Sequence, residues 1–184
     1  MRTLALALCL LLALPASAQP ASQDELVNAA ARGDYARVRA LVVAGGNVNW
    51  QNARRDSVFL VASARGHAKI VQLALDYGAD LKSTNRYGGT ALIPACHYGH
   101  VEVVKLLLQT QIDVNHVNDL GWTALLEAVM LGDGGPRFQE IVNLLLRRGA
   151  KPNLADPEGV TPLAHAKKRG FEELARLISL AGGR

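Results

Sequence analysis

Cysteine is scarce, with only Cys9 and Cys96 in 184 residues. Cys9 lies inside an N-terminal apolar run, so a chain processed after that run keeps one thiol and can form no internal disulfide, even in an oxidising compartment. Aromatic residues make up 5% of the chain, and no cluster of Lys or Arg is interleaved with them, so the usual signature of a nucleic-acid surface is missing. Membrane-spanning runs are missing too, since the stretch Leu4 to Leu14 holds 11 residues, too few to cross a bilayer. The five histidines are not grouped with other ligands as a metal site requires. The segment Asp133-Gly134-Gly135-Pro136-Arg137 lacks the flanking strand and the Lys-Ser/Thr end of a phosphate loop. No nucleophile is paired with a base and an orienting group. These absences argue against catalysis, cofactor or metal binding, and nucleic acid as a partner.

The N-terminus carries its own message. Arg2, the run Leu4 to Leu14, Pro15 and the small residues Ala16-Ser17-Ala18 read as a secretory signal over residues 1–18, cleaved before Gln19. The expectation is an exported protein, with the bacterial periplasm as destination. Cleavage removes Arg2 as the one charged residue, so the balance of 20 basic to 16 acidic residues becomes 19 to 16. That weak excess is a statement about solubility and partners, not about fold.

What the chain does have is a period. Gly33, Gly66, Gly99 and Gly132 are 33 apart, and Gly170 follows after 38. Ser57, Thr90, Thr123 and Thr161 repeat the spacing, as do Gly45, Gly78, Gln111, Gly149 and Gly182, and all series stretch by five residues at the same place. One insertion between Gly132 and Ile141 accounts for this. A period of that length describes one small supersecondary unit copied several times.

Within a unit, Thr90 to Leu108 reads as two short amphipathic helices broken at Gly99. Thr90 is the expected N-cap of the first, as is Thr161, where Pro162 takes a position that needs no N–H. Leu92, Ala95 and Cys96 mark one buried stripe, while Val103, Val104, Leu106 and Leu107 mark the other. Cys96 is thereby expected to be an inert core thiol. Ser22-Gln23-Asp24-Glu25 has the form of a capping box opening the first unit. Units are placed near residues 22–51, 52–84, 85–117, 118–155 and 156–184, with polar outward positions on the first and last, as end caps require. The insertion at 133–137 is expected to widen the turn between the two helices of the fourth unit.

The segments Thr90 to Asn115 and Thr161 to Gly182 follow the pattern T-P-L-x-x-A, then G-H-x-x-V-V-x-L-L-L-x-x-G-A-D-V-N, which resembles the ankyrin repeat. The resemblance covers nearly everything after the first two dozen residues. It implies an all-α repeat protein, an ankyrin solenoid of about five helix-turn-helix units, with short β-hairpin fingers projecting sideways. His67 and His100, directly after the turn glycine, then have a structural role. Arg55, Val58 and Gln111-Ile112 depart from the pattern and bear on the shape of individual fingers and turns.

The same resemblance implies a concave face built from finger tips and the exposed flank of each first helix. The candidate partner-binding residues on it are Arg54, Arg65, Arg86, Tyr87, His97, Tyr98, Leu120, Trp122, Met130 and Leu131. Large rigid side chains with arginine at a polar edge have the composition of a protein-binding hot spot. The expected function is a monomeric, exported adaptor or accessory factor that binds another protein. Small exported bacterial proteins of this kind resemble accessory factors of periplasmic catalase and peroxide resistance, and others resemble immunity proteins against an exported toxin. A hydrolase using His97 with Asp119 or Glu127 is the rival reading, which the open surface and missing nucleophile disfavour.

Overall fold

The computed structural model describes residues 22–184, so the signal at 1–18 lies outside the described residues. Among the described residues ten helices run in antiparallel pairs: α1 (Gln23–Arg32) with α2 (Tyr35–Val43), α3 (Val58–Arg65) with α4 (Ala68–Asp76), and α5 (Leu92–His97) with α6 (Val101–Leu108). The last two pairs are α7 (Ala124–Leu131) with α8 (Pro136–Arg147), and α9 (Pro162–Lys168) with α10 (Glu172–Leu180). The odd-numbered helices stack on one another as an inner layer and the even-numbered ones as an outer layer. Each pair therefore meets its immediate neighbours, the quasi-one-dimensional arrangement of a solenoid.

The core is a set of ladders with the period of the sequence. Leu26, Phe59, Leu92, Leu125 and Leu163 stack along the inner helices, and Leu41, Ala74, Leu107, Leu145 and Ile178 along the outer ones, all buried. Cys96 belongs to the same core and is fully buried. Burial pushes its thiol far up from the usual range, and nearby Glu127 adds to this, so the reactive thiolate is suppressed.

The turn glycines are held by their neighbours as well as by backbone conformation. At Gly33 and Gly66 φ is 76° and 75°, the left-handed region that glycine enters without penalty. A Cβ there would also lie 2.7 Å from the ring of His67 and 2.6 Å from that of His100, respectively. Those rings reach the ends of the preceding inner helices, with Nε2 of His67 3.4 Å from the Ala31 carbonyl and Nε2 of His100 3.1 Å from that of Ala64. Desolvation lowers the pKa of His100, which keeps it a neutral donor to that carbonyl. Arg137 takes the equivalent place over Gly99.

The expected hairpin fingers contain no strand among the described residues. Each is a tight turn in which Asn52, Asn85, Asn118 or Asp156 donates its N–H to the carbonyl four residues on, at 2.9–3.1 Å. The return rung comes from the same residue's side chain: Asn85 Oδ1 accepts from Tyr87 and Gly89, and Asn118 Oδ1 from Leu120 and Trp122. A side-chain oxygen thus replaces the second backbone carbonyl of a β-bridge. Arg55 stands where the other fingers have glycine and adopts φ 59° itself, so this finger keeps the shape of the rest.

Three local expectations are corrected. Ser57, Thr123 and Thr161 cap their helices through the side chain, but Thr90 does not, and α5 starts one residue later, at Leu92. In the other units the fourth residue after the cap donates its N–H to the cap carbonyl. In this unit that residue is Pro94, which has no N–H. The Thr90 carbonyl takes the Ile93 N–H instead, the very donor its hydroxyl needed, and Oγ1 is left buried without a partner. Second, Ser22 Oγ accepts from the Glu25 N–H at 3.4 Å, but the Glu25 carboxylate turns to Arg37 at 2.6 Å rather than completing a capping box. Third, the insertion widens the turn as expected, to Gly132-Asp133-Gly134-Gly135, but not by its whole length, since it also extends α8 to 12 residues where α2, α4 and α10 have 9.

Candidate functional site

The fingers and the inner helices α3, α5 and α7 enclose a groove of about 910 Å³. Nine of the ten residues singled out in the sequence line it: Arg54, Arg65, Arg86, Tyr87, His97, Tyr98, Leu120, Trp122 and Leu131. Met130 is not brought into the groove. It is half-buried in the last turn of α7, and its carbonyl accepts from Arg169. Its neighbour Leu131 points to the groove in its place, because successive residues of a helix face different ways.

Large apolar side chains are exposed here. Tyr87, Tyr98, Leu120 and Leu131 are each 43–54% exposed and share one face, while Trp122 is half-buried beside them. A contiguous apolar patch rimmed by polar groups marks an interaction surface. Tyr98 packs against His97 with ring centroids 4.3 Å apart. The Arg86 guanidinium lies 4.5 Å over the Tyr87 ring and donates to its hydroxyl at 3.0 Å. Arg54 pairs with Asp56 at 3.3 Å, whereas among the described residues Arg65 and Arg86 form no ion pair.

The groove floor holds a polar cluster that was only partly visible in the sequence. Glu127, 5% exposed, accepts from His97 Nδ1 at 2.8 Å through Oε2 and from Asn118 Nδ2 at 3.1 Å through Oε1. Desolvation raises the Glu127 carboxyl above its usual range, and the bonds from His97 and Asn118 draw it part of the way back. The pair also fixes the His97 ring, with Nδ1–H turned to the carboxylate. Asp119, the other carboxylate considered for His97, lies instead in the finger, where its N–H donates to the Tyr87 carbonyl at 2.9 Å.

Pro94 and Glu127 line the groove but were not singled out as binding residues. Their signal was positional: Val61, Pro94, Glu127 and His165 occupy the same place in successive units, and the first three face the groove. In the fifth unit His165 Nε2 meets Asp156 Oδ2 at 2.6 Å, a counterpart of the Glu127–Asn118 pair with the residue types exchanged.

No serine, threonine or cysteine lines the groove beside the His97–Glu127 pair. Among the described residues, no group of three or more His, Cys, Asp or Glu is gathered in a way that could hold a metal ion. No helix among them is long and apolar enough to cross a membrane.

Comparison with known proteins agrees with this architecture. The family described as "Ankyrin repeats (3 copies)" matches over residues 26–118 and 78–156. An ankyrin repeat domain from Acinetobacter baumannii AYE superposes with a TM-score of 0.87 at 48% identity, covering 92% of this chain and 89% of that one. The ankyrin repeat protein EF0377 superposes with a TM-score of 0.81 at 39% identity, over 84% of this chain and 78% of that one. A curated relative, YahD of Escherichia coli (strain K12), whose name also places it among ankyrin repeat proteins, is 55% identical over 56 residues. That match spans 30% of this chain and 28% of the relative.

Proposed function

Since the chain belongs to the ankyrin-repeat family, whose stacked units act as protein–protein interaction modules rather than enzymes, we propose that it is an exported adaptor that grips a partner protein in the groove between its fingers and inner helices. The observation that carries this reading is the exposure of Tyr87, Tyr98, Leu120 and Leu131 on one face beside unpaired arginines. The mechanism is preorganisation. The stack fixes these side chains before the partner arrives, so little conformational entropy is lost on docking.

Export rests on the signal-like residues 1–18, and the periplasm is the proposed destination. A periplasmic accessory role in peroxide defence and an immunity role against an exported toxin would both use this face, and the identity of the captured protein separates them. In the test, tagged wild type and a Tyr98→Ala/Trp122→Ala variant are used to capture partners from periplasmic extract. The secreted protein should have the mass of a chain beginning at Gln19. Removing two central anchors should weaken capture roughly a hundredfold or more while cooperative unfolding is kept. Equal capture by the variant, or a retained N-terminus, would count against the corresponding part of the proposal.

A further inference from the structure

Two rows of groove residues change character in the same direction. Along the fingers the order is Arg54, Tyr87, Leu120, and at the C-terminal ends of α3, α5 and α7 it is Arg65, Tyr98, Leu131. Both rows run from cation through aromatic ring to aliphatic chain, one step per repeat, and all six side chains are exposed. The fold does not require this order, because buried ladders, turn glycines and finger asparagines already hold the stack.

The charge at the arginine end is only partly compensated within the groove. Asp56 is engaged by Arg54 and Glu127 is buried against His97, which leaves three arginines to one available carboxylate, and Arg65 and Arg86 form no ion pair among the described residues. Arginine is well shaped for bidentate pairing with carboxylates. The other end is lined by Leu120, Leu131 and the half-buried Trp122, which suits an apolar side chain.

We propose that the groove holds an extended segment of the partner protein, with carboxylates at one end over Arg54 and Arg65 and an apolar anchor at the other between Leu120, Trp122 and Leu131. This rests on the groove being the partner-binding face. Helices pack about 8–10 Å apart, so two repeat steps span about 16–20 Å. An extended chain advances about 3.3 Å per residue, which separates the acidic and apolar ends of the segment by about five or six residues.

The test uses fluorescein-labelled dodecapeptides read by fluorescence anisotropy. One has four glutamates, a four-residue Gly-Ser spacer and a Leu-Trp-Leu-Leu end, and a second has the reverse order. A third and fourth replace glutamate by lysine in each. One of the acidic peptides should bind at least tenfold tighter than its lysine counterpart and weaken as salt is added. Arg54→Glu with Arg65→Glu should invert that preference, while the thermal unfolding of this surface variant stays close to wild type. Equal binding of the acidic and lysine peptides, no detectable binding of either acidic peptide, or an unchanged preference after charge reversal overturns the proposal. If the peptides fail while Tyr98→Ala/Trp122→Ala still abolishes partner capture, the groove remains the binding face and only the segment's chemistry is wrong. If that variant captures partner normally, both readings fall.

Discussion

Glu127 and Asp156 are both carboxylates in contact with a histidine, yet they shift in opposite directions. Desolvation raises Glu127 more than His97 and Asn118 lower it. For Asp156 desolvation also pushes upward, but the bonds from His165 and from the Val160 N–H outweigh it and the carboxyl ends below its usual range. The pH dependence follows from linkage. Ionisation of Glu127 opposes folding: its contribution is most favourable below the ordinary carboxylate range and is lost as pH rises through the raised value. Ionisation of Asp156 supports folding above the ordinary range, and that support is lost as pH falls through the depressed value. In chemical denaturation at about pH 7, Glu127→Gln should therefore be at least as stable as wild type, with any advantage vanishing toward about pH 3–4, near model carboxylate values. Asp156→Asn should be less stable at neutral pH, and its deficit should shrink in acid. Parallel pH profiles for the two variants would contradict the assigned environments. The sequence showed both carboxylates but not their opposite settings, because these depend on which side chain the neighbouring turn brings across.

Helix α5 is where a groove residue disturbs its own element. Pro94 removes the N–H that should bond to the Thr90 carbonyl, and the Thr90 hydroxyl is orphaned as a result. Replacing an orphaned buried hydroxyl by an isosteric methyl is close to neutral, whereas removing a working cap costs about 1 kcal/mol. Thr90→Val should thus leave stability unchanged or slightly raised, and Thr123→Val should lower it by about 1 kcal/mol, as read from denaturant midpoints at constant slope. Equal losses in both variants would show that Thr90 caps after all. At this scale the sequence was informative wherever the repeat holds. The turn glycines were legible from spacing and nine groove residues from the ankyrin resemblance, while of the ladder Leu26, Phe59, Leu92, Leu125 and Leu163 only Leu92 stood out in the sequence. It was misleading where one residue changes the bonding of another, as Pro94 does for Thr90 and Arg37 for Glu25. The insertion was legible in length but not in its division between turn and helix, since a turn and a first helical turn absorb extra residues equally well in sequence.

For the whole molecule, nearest-neighbour stacking makes a frame with two chemically different sides. The outer helices present ordinary charged pairs such as Lys105 with Glu102 at 3.0 Å and Glu140 at 2.8 Å, exposed contacts of small energetic weight. The inner side carries the arginine-to-leucine gradient and the exposed tyrosines. Partner recognition belongs to that inner side. Hydrogen exchange, measured by mass spectrometry on the protein alone and in complex with its captured partner, separates the two sides. New protection is expected in the fingers at 52–56, 85–89 and 118–122 and along α3, α5 and α7, with α4, α6 and α8 unchanged. Protection concentrated on α4, α6 and α8, with the fingers exchanging as in the free protein, would contradict it.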